Sequence, residues 1–375
     1  MNAVIVNCFD TYEDRVDLIY QFLKKQGHDV IVIQSDFRHF KKVKRENPKE
    51  GFTFVESKPY YKNLSVQRLS SHYKFARDAF KVVEEIKPDL LYTFVPPNSL
   101  AKFSAKYKQK NPKMKLIFDL MDLWPETMPT GNLKKLPPFI FWGALRDRSI
   151  RYSDFVITEC DLYQSVLKKP LKELKIETLY LTKKGINVVS KPKFCEDEIH
   201  LSYLGSINNI IDIQKIQEII QAIKKVKPVT LHIIGDGESK QDLIDVSKSA
   251  GATVIYYGKV YDSQVKQNIF DKCHFGLNIM KATVCVGLTM KSIDYFQHRV
   301  PILNNISADT AKLVDGYDIG YNIHEDLKGS VDKILCLNSK DHIKMRINTQ
   351  NVFDQFFSME AGIKKLDSIF REIGI

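Results

Sequence analysis

The sequence predicts an α/β protein made of two doubly wound parallel sheets, and three observations carry that prediction. Short apolar runs alternate with amphipathic stretches along almost the whole of the 375 residues. That is the pattern of strand–helix–strand units whose sheet is covered on both faces. A stretch poor in apolar residues, 183–198, interrupts the alternation midway, and a second series like the first follows it. The length is also one that ordinarily divides into two domains.

In the first half, 3–7 reads as an apolar strand, 15–26 as a helix ended by Gly27, and 29–34 as the second strand. A helix over 74–86 stops before Pro88 and hands over to a strand at 89–94 and the turn Val95-Pro96-Pro97-Asn98. Strands at 116–119 and 155–158 complete this half. After the linker, strands fall at 200–204, 229–234, 253–257, 275–278 and 300–303. The closing stretch, 356–375, is helical in pattern. The expected division is a first domain over 1–188, a second over 199–355, and a last helix over 356–375 that returns to the first. Doubly wound sheets bind ligands outside the carboxyl ends of their strands, so a crevice there is where a site is expected.

Composition narrows the classes. No apolar run reaches the roughly 18 residues of a membrane span, and the opening MNAVIVNCFDTYEDRV lacks the basic and apolar regions of a signal peptide. Six scattered cysteines without a Cys-x-x-Cys pair or His clustering point away from a zinc site or disulfide framework and fit a reducing cytoplasm. The net charge of +11 lies entirely in residues 1–190, with 33 Lys and Arg against 22 Asp and Glu; the rest holds 23 of each. It concentrates in 38–49, 102–115 and 134–151. Such a surface attracts polyanions. No nucleic-acid signature accompanies it, so an anionic membrane surface is the partner expected, with a merely solvated lysine-rich face as the plain alternative. The apolar run LPPFIFWGAL at 136–145, flanked by Lys134, Lys135, Arg146 and Arg148, fits either a membrane interface or a buried helix.

The most informative stretch is VGLTMKSIDYFQHRVPIL, 286–303. It reads as a loop (Gly287, Leu288, Thr289), an amphipathic helix and a buried strand. Lys291 and Asp294, three residues apart, share one helix face near its N-terminus. The amides and dipole there favour a phosphate, and a carboxylate beside it suits ribose hydroxyls. An ordinary i, i+3 surface ion pair is the competing reading. Two further turns follow strands: Gly205, Ser206 and Asn208 after LSYLG, and Gly235 with Gly237 after LHII. A glycine there allows close backbone approach to a phosphate, although it also suits a tight turn. In the first half, Asp119, Asp122 and Glu126 stand at the end of a strand in LIFDLMDLWPETMP, as acceptor-binding or proton-taking carboxylates; Asp122 as an N-cap is the alternative. Arg15 could supply a cation or a surface salt bridge. No Asp-x-Asp occurs, so no metal or other cofactor is implied.

Taken with Asp122-Leu123-Trp124-Pro125-Glu126 about 170 residues earlier, the 286–303 stretch resembles the donor-binding segment of retaining glycosyltransferases of family 4, of the bacterial capsular and exopolysaccharide type. The resemblance implies the GT-B fold, two Rossmann-like domains facing across a cleft. It further implies transfer of a sugar with retention from a nucleotide-diphosphate donor, expected to be a UDP-sugar, to a polysaccharide or lipid-linked saccharide at the inner face of the plasma membrane. On it, Asp294 holds the ribose, Lys291 serves the diphosphate, Asp122 and Glu126 are catalytic candidates, and the backbone of Gly258, Lys259 and Val260 reads the base. The sequence departs from the family at three points. Val286 replaces the first Glu, the turn at 205–209 lacks a basic pair, and the loop Cys8–Glu13 lacks glycine. Those departures keep open a non-catalytic GT-B subunit that stabilises or targets a partner transferase, and, more weakly, a nucleotide-sugar epimerase of the same architecture.

Overall fold

The computed structural model describes residues 1–62, 65–128, 131–323 and 326–375, with the side chains of 132 and 133 left aside. The chain divides into two compact units, Met1–Lys183 with Met359–Ile375, and Lys184–Ser358.

The first unit is built on strands β1 (Asn2–Asn7), β2 (Asp29–Ser35), a small ribbon β3 (Phe37–Arg38) with β4 (Val43–Lys44), then β5 (Phe52–Val55), β6 (Leu90–Val95), β7 (Lys115–Leu120), β8 (Phe155–Thr158) and β9 (Ile176–Thr178). Its main sheet has the order β5-β2-β1-β6-β7-β8-β9, parallel throughout. The strands are apolar on both faces because helices cover both. Those helices are α1 (Glu13–Lys25), α2 (Val66–Ile86), α3 (Asn98–Lys110), α4 (Pro137–Ile150) and the short α5 (Asp161–Val166). Helix α2 begins eight residues before the position the sequence pattern suggests. The Ser65 hydroxyl caps the Arg68 amide at 3.2 Å, and the first two turns, VQRLSSHY, are too polar to show a clear apolar period.

The second unit holds β10 (Ile199–Ser206), α6 (Ile213–Lys224), β11 (Val229–Asp236), α7 (Lys240–Ser249), β12 (Thr253–Gly258), α8 (Ser263–Phe270), β13 (Phe275–Asn278), α9 (Met290–Gln297), β14 (Ile302–Asn304), α10 (Asp309–Tyr317), β15 (Gly320–Asn322), α11 (Leu327–Leu335) and α12 (Ser339–Val352). The order β12-β11-β10-β13-β14-β15, again all parallel, reverses direction between β10 and β13. A last helix, α13 (Met359–Ile373), belongs to the first unit. It packs on α1, with Phe22 and Phe370 ring centroids 5.1 Å apart, and at so close an approach that a Cβ on Gly362 would come within 2.6 Å of Thr182.

The linker is anchored within the second unit: the Asp271 carboxylate accepts from the Ser190 hydroxyl at 2.8 Å and from the Lys191 amide, and Arg346 closes the same hub at 2.8 Å. One expectation needs correction. Arg15 is not a surface residue. Its Nε donates to Asp119 at 3.0 Å, its other nitrogens donate to the Leu179 and Tyr180 carbonyls, and Tyr92 donates to the same Asp119 oxygen at 2.6 Å. Both charges are fully buried, so each is indispensable to the other. No helix among the described residues is long and apolar enough to cross a membrane, and no disulfide joins the six cysteines.

At the amino ends of the second sheet four histidines adjoin: His200 and His232 are hydrogen bonded at 3.0 Å, and His274 and His342 follow, with ring centroids 5.5 Å apart. Burial pushes His232 and His274 down to about 4 and His342 to about 3. Native pKa values below the unfolded one mean that the folded chain binds fewer protons, so stability present above about pH 6.5 is lost as pH falls towards 4. Each such histidine contributes up to roughly 3 kcal/mol to that loss. The calorimetric Tm is therefore expected to fall steadily between pH 6.5 and 4.5, and less steeply in His232→Gln; a Tm flat across this window would contradict the assignment.

Candidate functional site

The carboxyl ends of β10 and β13, where the second sheet reverses its order, are the topological switch point at which doubly wound sheets bind ligands. Helix α9 starts there. Its Thr289 caps the Ser292 amide at 3.1 Å, and the Ser292 hydroxyl returns to the Thr289 backbone, a reciprocal capping box. The Thr289 hydroxyl donates in turn to Asn278 at 2.7 Å, Asn278 donates to Asn304 at 2.9 Å, and Asn304 donates to Asn322 at 2.7 Å. This buried relay ties the start of α9 to the ends of β13, β14 and β15. The Tyr295 hydroxyl donates to the Ser202 carbonyl at 2.9 Å, its ring lying where a side chain on Gly276 would have to go.

Held in this way, Lys291 projects beneath β10. Its Nζ lies 3.3 Å from the Tyr203 hydroxyl and 4.6 Å from that ring's centroid, and Tyr203 donates to the Ser206 carbonyl at 2.8 Å. No carboxylate among the described residues pairs with Lys291, and burial alone pushes its ammonium down to about 8. The Met290 and Lys291 amides have no hydrogen-bond acceptor among the described residues. The first turn of α9 thus carries both a cation without a carboxylate partner among the described residues and two unengaged amides, chemistry suited to a phosphate. Asp294 is half-buried one turn further along the same face.

The turn after β10 passes over this place. Gly205 adopts φ +111 with open space where a side chain would be, while Gly235 is packed so tightly that a Cβ would come within 1.9 Å of the Gly205 carbonyl oxygen. Ser206 is exposed, and the Asn208 side chain accepts from the Ile210 amide at 3.2 Å, closing the turn. Asp236, beside them, binds Lys240 at 3.3 Å. Gly258, at φ +68, ends β12 next to a register shift opposite Ile233 and Ile234; Lys259 is exposed and Val260 partly so. Gly287 and Leu288 are buried, and the Gly287 carbonyl accepts twice from Thr310. Lys291 and Gly205–Ser206 are therefore brought together through Tyr203, whereas Thr289 and Asn208 are occupied in holding the backbone.

Asp122 and Glu126 lie in the other unit, beyond β7. The residues around Pro125 form a turn rather than a helix. Asp122 accepts from the Trp124 indole at 2.7 Å and from the Thr127 hydroxyl, and burial raises its pKa against those hydrogen bonds. Glu126 accepts from the two terminal Arg146 nitrogens, at 2.7 and 2.9 Å. Arg146 is fully buried, so it is no part of a basic surface rim around 136–145. Among the described residues no three His, Cys, Asp or Glu side chains are arranged to hold a metal. Sequence reasoning missed Tyr203 and the asparagine relay, because a strand tyrosine and scattered asparagines carry no spacing of their own.

No protein-family model matches the chain, and no curated protein matches it. Solved structures do. The sucrose-phosphate synthase of Thermosynechococcus elongatus aligns with a TM-score of 0.71 at 10% identity, over 100% of this chain and 99% of that one. The lipopolysaccharide outer core galactosyltransferase WaaB aligns at 0.67 and 15%, over 99% and 100%. Anabaena HepE in complex with UDP aligns at 0.67 and 13%, also over 99% and 100%, and HepE in complex with UDP-glucose aligns as well. The chain has the GT-B fold of these glycosyltransferases.

If Thr289 acts as cap and relay, Thr289→Ala should lower stability by about 1–2 kcal/mol. The urea midpoint measures this; an unchanged midpoint would show the relay to be idle.

Proposed function

We propose that the chain is a retaining glycosyltransferase of the family 4 kind, transferring a sugar from a UDP-sugar to a saccharide acceptor without a metal or other cofactor. The observation that carries this reading is Lys291: an ammonium with no carboxylate partner among the described residues, at a helix N-terminus, at the switch point of a doubly wound sheet. HepE, of the same fold, has been solved with UDP and with UDP-glucose, which supports the choice of donor. Asp294 is assigned to the ribose, the Gly205–Ser206 turn to the diphosphate, and the backbone of Gly258, Lys259 and Val260 to the base.

In the reaction the bond from the sugar C1 to the diphosphate oxygen breaks as the acceptor oxygen bonds C1 on the same face. The acceptor proton passes to the departing phosphate. Lys291 stabilises the charge that develops on the leaving group, which is where a fixed cation lowers the barrier most. Asp122 is assigned to orienting the acceptor hydroxyl. Glu126 is assigned to holding the segment around Asp122, through its pair with Arg146. The basic first half is assigned to the anionic inner face of a membrane, and the cytoplasm is the compartment proposed. A second reading, a non-catalytic GT-B subunit, is favoured by Val286 at the first Glu position and by Glu126 being taken up with Arg146.

Donor hydrolysis across UDP-, GDP- and dTDP-sugars, in the presence of a chelator, separates the two, since acceptor-free turnover marks an enzyme. Lys291→Met should depress kcat by more than it raises KM, because its effect grows in the transition state. A change in KM alone would reduce Lys291 to a donor-binding residue. Asp294→Ala should weaken UDP binding by about 1.5–3 kcal/mol in calorimetry; unchanged affinity in a folded variant removes the ribose assignment.

A further inference from the structure

The Tyr203 hydroxyl joins two parts of the chain that lie 88 residues apart. Tyr203 is fully buried on β10, and its ring belongs to the apolar core of the second unit, where a phenylalanine would fill the same space. The hydroxyl does more than fill space. Its one proton is committed to the Ser206 carbonyl at 2.8 Å, and its oxygen accepts from the Lys291 ammonium at 3.3 Å. A hydroxyl bonded to a cation donates more strongly, so ammonium, hydroxyl and carbonyl form a short polarised chain. At its far end, a carbonyl oxygen left free in the turn would repel a phosphate, and the Tyr203 bond engages that of Ser206 instead. Just beyond, the Asn208 and Asn209 amides have no acceptor among the described residues, and Gly205 leaves open space where a side chain would be.

We propose that Tyr203 is a positioning residue that makes Lys291 and the Gly205–Ser206 turn receive a diphosphate as one unit. That role rests on the donor reading of the site given above, and it assigns to one hydroxyl a coupling that neither the helix nor the turn supplies alone. With the site empty, the hydroxyl oxygen is the polar partner that favours the charged lysine while burial opposes it. The other titratable groups at this place add no counter-charge. Tyr203, Tyr295 and Cys273 are kept protonated by burial, Asp294 stands one turn further along α9, and no carboxylate among the described residues pairs with Lys291. An anion that draws on the ammonium therefore also draws, through the hydroxyl, on the turn. Loss of the hydroxyl alone should uncouple the two while the ring and its contact with the ammonium, 4.6 Å from the centroid, remain.

Tyr203→Phe removes both hydrogen bonds and little else. In the ligand-free chain, with lysine side chains followed by NMR, it should lower the Lys291 titration midpoint by about half a pH unit or more, roughly a threefold change in acid dissociation, because the charged form loses its acceptor. Tyr295→Phe removes a buried tyrosine–carbonyl hydrogen bond of the same kind from α9 and should leave that midpoint in place. UDP affinity in calorimetry at pH 7 should fall at least about fivefold in Tyr203→Phe, but less than about twofold when the same change is made in Lys291→Met, since a residue that acts through the lysine then has nothing to act on. Tyr203→Met, which also lacks the hydroxyl, repeats both measurements should the first variant fold poorly. An unmoved midpoint, a midpoint moved equally by Tyr295→Phe, or equal losses of affinity in the two backgrounds would reduce Tyr203 to a core residue and overturn the proposal in a chain that still binds UDP. Absence of UDP binding in the parent chain would remove the donor reading and the coupling together.

Discussion

Everything proposed for the second unit depends on one lysine held half out of water against a tyrosine ring. An ammonium buried beside a carboxylate would already be neutralised and of little use to a ligand. Among the described residues Lys291 instead meets the hydroxyl and face of Tyr203, and burial lowers its pKa without an opposing charge. That arrangement costs stability, and on the proposed function a bound diphosphate would offset the cost. It persists only because the helix carrying Lys291 cannot shift: Thr289 is fixed through Asn278, Asn304 and Asn322, and Tyr295 is locked over Gly276. The rigid elements are thus spent on position, and the electrostatic strain is left at the site.

The buried charges of the first unit behave differently. Arg15 and Asp119 satisfy one another with help from Tyr92 and two carbonyls, and Arg146 grips Glu126 with both arms. Neither pair has charge to spare for a ligand, and both fix where strands and turns end.

The fold was largely legible because its signals are local. Strands 155–158 and 275–278 coincide with β8 and β13, since both are short apolar runs between clear breakers. Several others extend by a residue or two beyond their apolar runs, as Gly205–Ser206 and Gly235–Asp236 do, because ladder hydrogen bonds continue past the last buried side chain, whereas β14 begins two residues after its expected start, and the short strands β5, β9 and β15 carry too few apolar residues to be read from the sequence. The start of α2 was hidden because the residues that its first turns bury, Arg68, Ser71 and His72, are polar and show no apolar period. The candidate site was legible only in part. The spacing of Lys291 and Asp294 places both on one helix face, but nothing local reveals that Tyr203, 88 residues earlier, receives the lysine. Arg146 reads as a surface cation beside Lys135 and Arg148; only the tertiary pairing with Glu126 buries it.

The most direct test of the account is the protonation of Lys291 itself, followed by NMR of labelled lysine side chains and assigned with Lys291→Arg. The account predicts one lysine titrating near 8 in the free protein and moving upward on saturation with UDP, because a bound diphosphate supplies the missing counter-charge. A Lys291 that titrates at the ordinary lysine value near 10.5 and is indifferent to UDP would contradict it.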